Sequence, residues 1–403
     1  MDAAMNDTRT VLVTITGKDR PGVTSTLFDA LGEFNVEVID VEQIVIRGQL
    51  VLCILVTAGR DEGELRAAVH RAAARVGMHA EIRSGVGDNA PRAAGRSHVT
   101  LIGAPLRSGA MGAITGRITA CGANIDRIFR LSKYPVTSIE LHVSGAPTEK
   151  LRAELAAEAK LQGVDVAVQR SGLWRRAKRL IVMDVDSTLI QDEVIELLAE
   201  RAGCLGEVAK VTEAAMRGEL DFEQSLRERV ALLAGLDASV IEDVRRAVRL
   251  APGARTLIRT LKRLDYRCGI VSGGFTQVTD HLVAELGIDY SAANTLEIVD
   301  GRLTGRLVGP IIDRPGKAAA LRRFAAEAGV PLSQTVAVGD GANDLDMLNA
   351  AGLGVAFNAK PVVREVADAV VNVPYLDTIL FLLGLTRDEI EAADAEDDAE
   401  DSD

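Results

Sequence analysis

Three short apolar runs, each breaking off into a polar cluster, restrict this chain more than anything else in it. Leu180-Ile181-Val182-Met183 runs into Asp184-Val185-Asp186-Ser187-Thr188, Cys268-Gly269-Ile270-Val271 into Ser272-Gly273-Gly274, and Thr335-Val336-Ala337-Val338 into Gly339-Asp340-Gly341-Ala342-Asn343-Asp344. Such unbroken runs read as strands buried on both faces. Residues 254–264, 277–286 and 317–328 carry the helical period. Strand alternating with helix means an α/β domain with a doubly wound parallel sheet, whose ligands sit beyond the carboxyl ends of the strands. The three polar clusters therefore converge. Residues 191–250 are helical in pattern with no buried strand and are expected as an inserted cap. Residues 295–311, with Asp300-Gly301 between alternating arms, read as a hairpin.

Carboxylates gathered at one sheet edge repel one another unless a cation neutralises them, and hard oxygen ligands select a hard ion, so Mg²⁺ is the expected partner. Lys317, after Pro315-Gly316, adds a positive charge suited to a phosphoryl oxygen. Ser272, flanked by glycines near a helix start, offers a hydroxyl and backbone N–H groups to an anion. In an extended segment residues i and i+2 share a face, so one carboxylate of Asp184-x-Asp186 can attack phosphorus while the other protonates the leaving oxygen.

The first 170 residues contain a repeat. Gly17 and Gly103 are 86 residues apart, as are Gly59 and Gly145. Each copy reads β-α-β-β-α-β, a ferredoxin-like α+β pattern, and residues 84–95 between them have a linker's Gly, Pro and Ala content. Each module leaves a sheet edge of the kind that a second copy commonly completes, so a homodimer is expected. The domain boundaries read 8–84, 97–171 and 175–386, with the cap at about 191–250.

Composition excludes several classes. The net charge is −12, but residues 388–403 hold ten acids and no base, so the body is nearly neutral. With no basic excess and only 3% aromatic residues, nucleic-acid binding has no electrostatic footprint. The acidic tail reads as solvated and disordered. Cys53, Cys121, Cys204 and Cys268 form no C-x-x-C pair, which fits a reducing cytoplasm. No signal peptide is apparent and no apolar stretch approaches a membrane span. The five histidines form no metal-binding spacing.

The ordered set Asp184-x-Asp186-Ser187-Thr188, Glu193, Met216, Phe222, Arg229, Ser272-Gly273-Gly274-Phe275, Lys317 and Gly339-Asp340-Gly341-Ala342-Asn343-Asp344 resembles the haloacid dehalogenase superfamily, and within it the branch that acts on phosphoserine, from Leu180 to about Leu385. The repeats resemble ACT domains through Gly17-x-Asp19-Arg20-Pro21-Gly22-Val23. The second copy departs from that motif, reading Gly103-Ala104-Pro105-Leu106-Arg107-Ser108-Gly109. Together they match the long, regulated form known from mycobacteria. The resemblance implies hydrolysis of O-phospho-L-serine to L-serine and phosphate, the last step of serine biosynthesis, through an aspartyl-phosphate. Asp184 would be the nucleophile and Asp186 the acid/base. The Asp184 carboxylate, the Asp186 backbone carbonyl and Asp340 would ligate Mg²⁺, with Asp344 helping through water. Ser272, with Gly273 and Gly274, Lys317 and Asn343 would hold the phosphate. Glu193 would meet the substrate ammonium and Arg229 its carboxylate, while Met216 and Phe222 shut out water. Gly17, Asp19, Arg20 and Gly22, with Gly103 in the second copy, would form amino-acid regulatory sites, with L-serine the first candidate effector. The alternatives are phosphoryl transfer to another alcohol, or an amino-acid-sensing protein with a vestigial phosphatase half.

Overall fold

The computed structural model describes residues 8–87, 95–217 and 219–400, without the side chains of Trp174, Met216 and residues 398–400. In the first repeat, β1 (Arg9–Lys18), β2 (Val38–Ile46), β3 (Gln49–Thr57) and β4 (His79–Val86) form an antiparallel sheet in the order β2-β3-β1-β4. Alternate residues of β1 and β3 (Val11, Val13, Ile15, Leu52, Ile54) meet Leu27 and Leu31 of helix Val23–Gly32 and Leu65 and Val69 of helix Glu62–Arg75 in a core of their own. The strand period of two and the helical i, i+4 spacing supply the two facing surfaces. Of the linker assigned to residues 84–95, residues 84–86 are a correction, since they pair with β1 as the end of β4, and residues 88–94 lie outside the described residues.

The second repeat has β5 (Ser97–Gly103), β6 (Asn124–Ser132), β7 (Thr137–Ser144) and β8 (Asp165–Arg170) in the same order, β8-β5-β7-β6. Its surroundings differ. The chain divides into two compact units, residues 1–91 and 92–403. In the second unit β8 pairs antiparallel with β15 (Ala369–Val371) at Ala167 and Ala369. This joins the second repeat to the α/β sheet. That sheet comprises β9 (Leu180–Asp184), β10 (Arg267–Phe275), β11 (Tyr290–Val299), β12 (Arg302–Val308), β13 (Thr335–Gly339), β14 (Gly354–Phe357) and β15. The expectation of an open edge on the second module is corrected at β8, where β15 occupies it. Ile102, Leu131, Val136 and Ala167 also share one apolar core with Ile181 and Met183.

The combined sheet, eleven strands among the described residues, runs β12-β11-β10-β9-β13-β14-β15-β8-β5-β7-β6. β9 lies between β10 and β13 and is parallel to both. Leu180 and Val182 enter the core on one face, Ile181 and Met183 the core on the other, which is why the run is unbroken in sequence. The strand order reverses at β9, and at such a switch point an open α/β sheet leaves its ligand crevice. The cap is helical as expected, with helices Val194–Ala202, Leu205–Met216, Phe222–Ala231 and Val240–Ala247. β11 and β12 pair antiparallel through Asp300 and Gly301, both at positive φ (49° and 74°), as a two-residue primed turn requires.

The disordered tail is a correction. Residues Arg387–Glu400 are helical. Thr386 and Glu389 form a reciprocal capping box, Ile390 is buried in the main core, and Asp394 and Asp397 pair with Arg263 of helix Ala254–Arg263. Thr386-x-x-Glu389 was the missed start signal, and the arginines offset the acidic charge that argued for disorder. Residues 401–403 lie outside the described residues.

Candidate active site

β9 ends at Asp184, and the chain leaves it through a single wide turn, Val185–Leu189, closed by the Ile190 N–H on the Val185 carbonyl at 3.0 Å. Ser187 sits in that turn at φ 58°, a left-handed conformation that a non-glycine residue holds only under tertiary constraint. The turn points Asp184 and Asp186 to different partners. Lys317 Nζ donates to Asp184 Oδ1 at 2.6 Å and to Asp344 Oδ1 at 2.7 Å, all three side chains being buried. Asp186 instead accepts from the Val194 N–H at 2.8 Å and from Ser272 Oγ at 2.9 Å.

Ser272 and Asp344 come from the predicted strand ends of β10 and β13, whereas Lys317 lies on helix Arg314–Glu327 and Val194 opens the first cap helix. Ser272 also accepts the Gly274 N–H at 2.7 Å. A Cβ at Gly274 would fall 2.9 Å from Ser272 Oγ and 3.0 Å from Asp186 Oδ2, so a side chain there would displace the groups that meet Asp186, and one at Gly273 would fall 3.2 Å from Phe222 Cζ of the cap, a tight approach. Beyond β13, the Asp340 and Gly341 N–H groups donate to Asp344 Oδ2 at 3.1 and 2.9 Å, which fixes that carboxylate toward Lys317. Asn343 stands half-buried on the same turn.

Oxygen atoms of Asp184, Asp340 and Asp344 lie within 4.8 Å of one another. Burial, then the neighbouring Asp344, push Asp184 well above the usual carboxylate range, with Lys317 acting the other way. Asp340 is pushed to about 6 by burial and by Asp344. Burial opposes the charge of Lys317, but Asp184 and Asp344 more than offset it, and the ammonium is held above the ordinary lysine value. One ammonium cannot neutralise three carboxylates. The donor set is all oxygen, closely spaced and short of positive charge, which fits a hard divalent cation. Asp344 has both oxygens engaged by protein donors, whereas among the described residues Asp340 receives only a 3.4 Å contact from Thr188 Oγ1.

In the cap, Glu193 accepts from Ser187 Oγ at 2.9 Å, and desolvation and Asp186 raise its carboxyl to about 7. Arg229 is half-buried, anchored by Nε to the Ser225 carbonyl at 3.2 Å. Desolvation lowers its pKa while Glu193 and Asp186 oppose that. An anion and a guanidinium thus face the catalytic edge. The Met216 side chain lies outside the described residues. Thr188 stands in the sequence motif without a role there, and Asp313, which accepts the Gly316 N–H at 2.8 Å and starts the helix carrying Lys317, is not singled out by the sequence reading at all. Asp-x-Pro-Gly was its signal, an N-cap followed by proline in the first turn.

Two further clusters lie apart from the catalytic edge. His98 and His142, opposite one another on β5 and β7, both contact Glu140 Oε1 at 3.1 Å. Arg175 already occupies this buried carboxylate as its cation, so the histidines complete an ion-paired network. In the first module, Asp19, Arg20, Gly22 and their neighbours through Ser25, with Gln43 and Leu50, line a cleft of about 340 Å³. Gly22 lies at φ 88° immediately before helix Val23–Gly32, and Gly17 is pressed by Met78, whose Sδ would meet a Cβ at 2.7 Å. Gly103 ends β5 against Leu106, 3.0 Å from the position of a Cβ.

The haloacid dehalogenase-like hydrolase family matches residues 181–349, and ACT domains match residues 9–83 and 96–169. A phosphoserine phosphatase of Streptomyces coelicolor is 68% identical over 96% of this chain and 95% of its own. One of Mycobacterium tuberculosis is 57% identical over 96% of each. Among solved structures, a probable phosphoserine phosphatase from Vibrio cholerae superposes with a TM-score of 0.58 at 36% identity, covering 71% of this chain and 86% of that one. A haloacid dehalogenase family hydrolase from Salmonella enterica serovar Typhi gives 0.63 at 28% identity, covering 71% and 98%.

Proposed function

We infer, for a chain that belongs to the phosphoserine phosphatase family of haloacid dehalogenase-like hydrolases with two ACT domains, that it hydrolyses O-phospho-L-serine to L-serine and phosphate. The observation that carries this reading is the pair of differently partnered carboxylates at the end of β9. Asp184, beside Lys317, is the nucleophile: its carboxylate forms a bond to phosphorus as the bond from phosphorus to the serine oxygen breaks. Asp186 gives its proton to that serine oxygen. Burial raises its carboxyl above the ordinary aspartate value, against the hydrogen bonds from Val194 and Ser272, a direction that suits a proton donor. Asp186 then takes a proton from water as the water oxygen bonds to phosphorus and the Asp184–phosphorus bond breaks.

Asp184, Asp340 and the Asp186 carbonyl would hold Mg²⁺, with Asp344 acting from behind. When bound, the ion offsets the negative charge on the transferring phosphoryl group. Ser272, the Gly273-Gly274 backbone, Lys317 and Asn343 receive the phosphoryl oxygens. Glu193 takes the substrate ammonium and Arg229 its carboxylate, which needs a planar, two-pronged donor. Phe222, packed on Gly273, closes the cap side.

The 340 Å³ cleft of the first module is the amino-acid site, with L-serine as its effector; Gly103 marks the corresponding turn of the second. Edge strand β2 exposes Val38, Val41, Ile44, Val45 and Ile46, and a homodimer would cover such a row. All four cysteines are free and no helix among the described residues is long and apolar enough to cross a membrane, which supports a cytoplasmic enzyme. The test is phosphate release from O-phospho-L-serine by the full chain, expected to stop in EDTA and to return with Mg²⁺. Undiminished release in EDTA, or none with Mg²⁺, would overturn the reading.

A further inference from the structure

We propose that Asn294 is the positioning residue that sets Ser272 and Lys317 against one another. The proposal rests on the phosphatase reading above, in which both groups hold the phosphate. Asn294 lies on β11 and is 1% exposed. The parallel ladder between β10 and β11 pairs Gly269 with Tyr290, Ile270 with Ser291 and Val271 with Ala292, then loses register and resumes only at Phe275 with Asn294. The residues left out of the ladder are Ser272, Gly273 and Gly274, so the turn that presents Ser272 has no regular backbone pairing with its neighbour. Asn294 substitutes for it. Its Nδ2 donates to the Gly273 carbonyl at 2.8 Å.

The other end of the same amide reaches the Lys317 segment. Asn294 Oδ1 accepts the Ile312 N–H at 2.8 Å. Ile312 precedes Asp313, whose carboxylate accepts the Gly316 N–H and whose carbonyl accepts the Lys317 N–H at 2.9 Å. One buried side chain therefore spans the two chain segments whose tips carry Ser272 Oγ to Asp186 and Lys317 Nζ to Asp184.

The chemistry demands an amide. Its partners are a carbonyl, which only accepts, and an N–H, which only donates, so one orientation satisfies both. Aspartate has the same shape but sets a carboxylate oxygen against the Gly273 carbonyl. Leucine would leave two buried backbone groups unpaired. A displacement of about 1 Å in either phosphate-holding group is enough to cost on the order of a hundredfold in rate.

The test uses the full chain with Asn294→Asp and Asn294→Ser. It measures the melting temperature, kcat and KM on O-phospho-L-serine and on p-nitrophenyl phosphate, and inhibition by inorganic phosphate. The expected result is a fall in kcat/KM of about tenfold or more, equal on both substrates, with inorganic phosphate inhibiting more weakly, in variants that still melt cooperatively. Asn294→Ser should lose less than Asn294→Asp, because a hydroxyl introduces no like-charged oxygen. A merely structural role would lower the melting temperature and the amount of active enzyme while KM and phosphate inhibition stayed as in the wild type, and that pattern overturns the proposal. So does a folded variant with kcat/KM within about threefold of wild type, or the failure of both variants to fold, which would make Asn294 a support of the sheet. A wild-type chain inactive on both substrates overturns the phosphatase reading itself and the proposal with it.

Discussion

Asp184, Asp340 and Asp344 are held within reach of a single ion while Lys317 offsets only part of their charge, and the roles of individual residues follow from that imbalance. Asp184→Asn replaces the nucleophile by a neutral amide, and kcat should fall by at least about 10³-fold while the fold persists; a loss smaller than about tenfold in stopped or continuous phosphate assays would refute covalent catalysis at this residue. Glu193 gives a pH prediction. Its carboxyl is raised to about 7, so the folded state favours the protonated form and loses stability as pH rises from about 4.5 toward 7. The substrate ammonium needs the ionised form. In the free enzyme, kcat/KM for phosphoserine should therefore climb as pH rises through about 7, and Glu193→Gln should remove that limb and lower the plateau. An identical limb in Glu193→Gln, or an equal limb with p-nitrophenyl phosphate, would assign it elsewhere.

At the scale of elements, two contacts hold pieces whose sequence says little about where they belong. Glu140 of β7 is buried against Arg175, which follows β8. Desolvation works to raise the Glu140 carboxyl, but His142, His98 and Arg175 overcome it and hold it far below the ordinary value of 4.5. A depressed acid stabilises the fold above its unfolded pKa and loses that contribution on acidification. The melting temperature should accordingly fall below about pH 4.5, and Glu140→Gln, which strands Arg175, should cost about 3 kcal/mol at neutral pH and flatten the acid slope. An unchanged acid slope would show that other carboxylates govern it. The C-terminal helix depends on its capping box. Thr386→Ala should destabilise the second unit by ~1 kcal/mol, read as a lower melting temperature.

The whole molecule contains two units, and the division falls between the repeats rather than after them. Removing residues 1–91 takes away a module with its own closed core, and phosphatase turnover should persist while any response to serine bound in the Asp19–Ser25 cleft disappears. Removing residues 1–171 also strips β8 from β15 and the anion from Arg175. That shorter chain should melt well below the first and aggregate through its bared edge strand. Equal melting temperatures for the two truncations, measured by calorimetry, would show that the shared sheet contributes nothing.

The strands of the α/β sheet, the two modules and the convergence of the polar strand ends were legible in the residues alone. Unbroken apolar runs fixed β9, β10 and β13 because strands buried on both faces admit no polar alternation, and chain direction then placed Asp184, Ser272 and Asp340 on one edge. The 86-residue repeat exposed the two modules because each is a locally complete β-α-β-β-α-β unit. Contacts between residues far apart in the chain were not legible there and emerged on folding. Asn294 carries no signal of its own in a mostly apolar strand, and Thr188 stands in the motif without its contact to Asp340 being readable. The pairing of β8 with β15 joins positions 167 and 369 through backbone groups that every residue carries. The acidic tail became a helix because Arg259 and Arg263, more than a hundred residues earlier, stand where its carboxylates fall. Composition registers the charge of such a segment but not the charge it will meet.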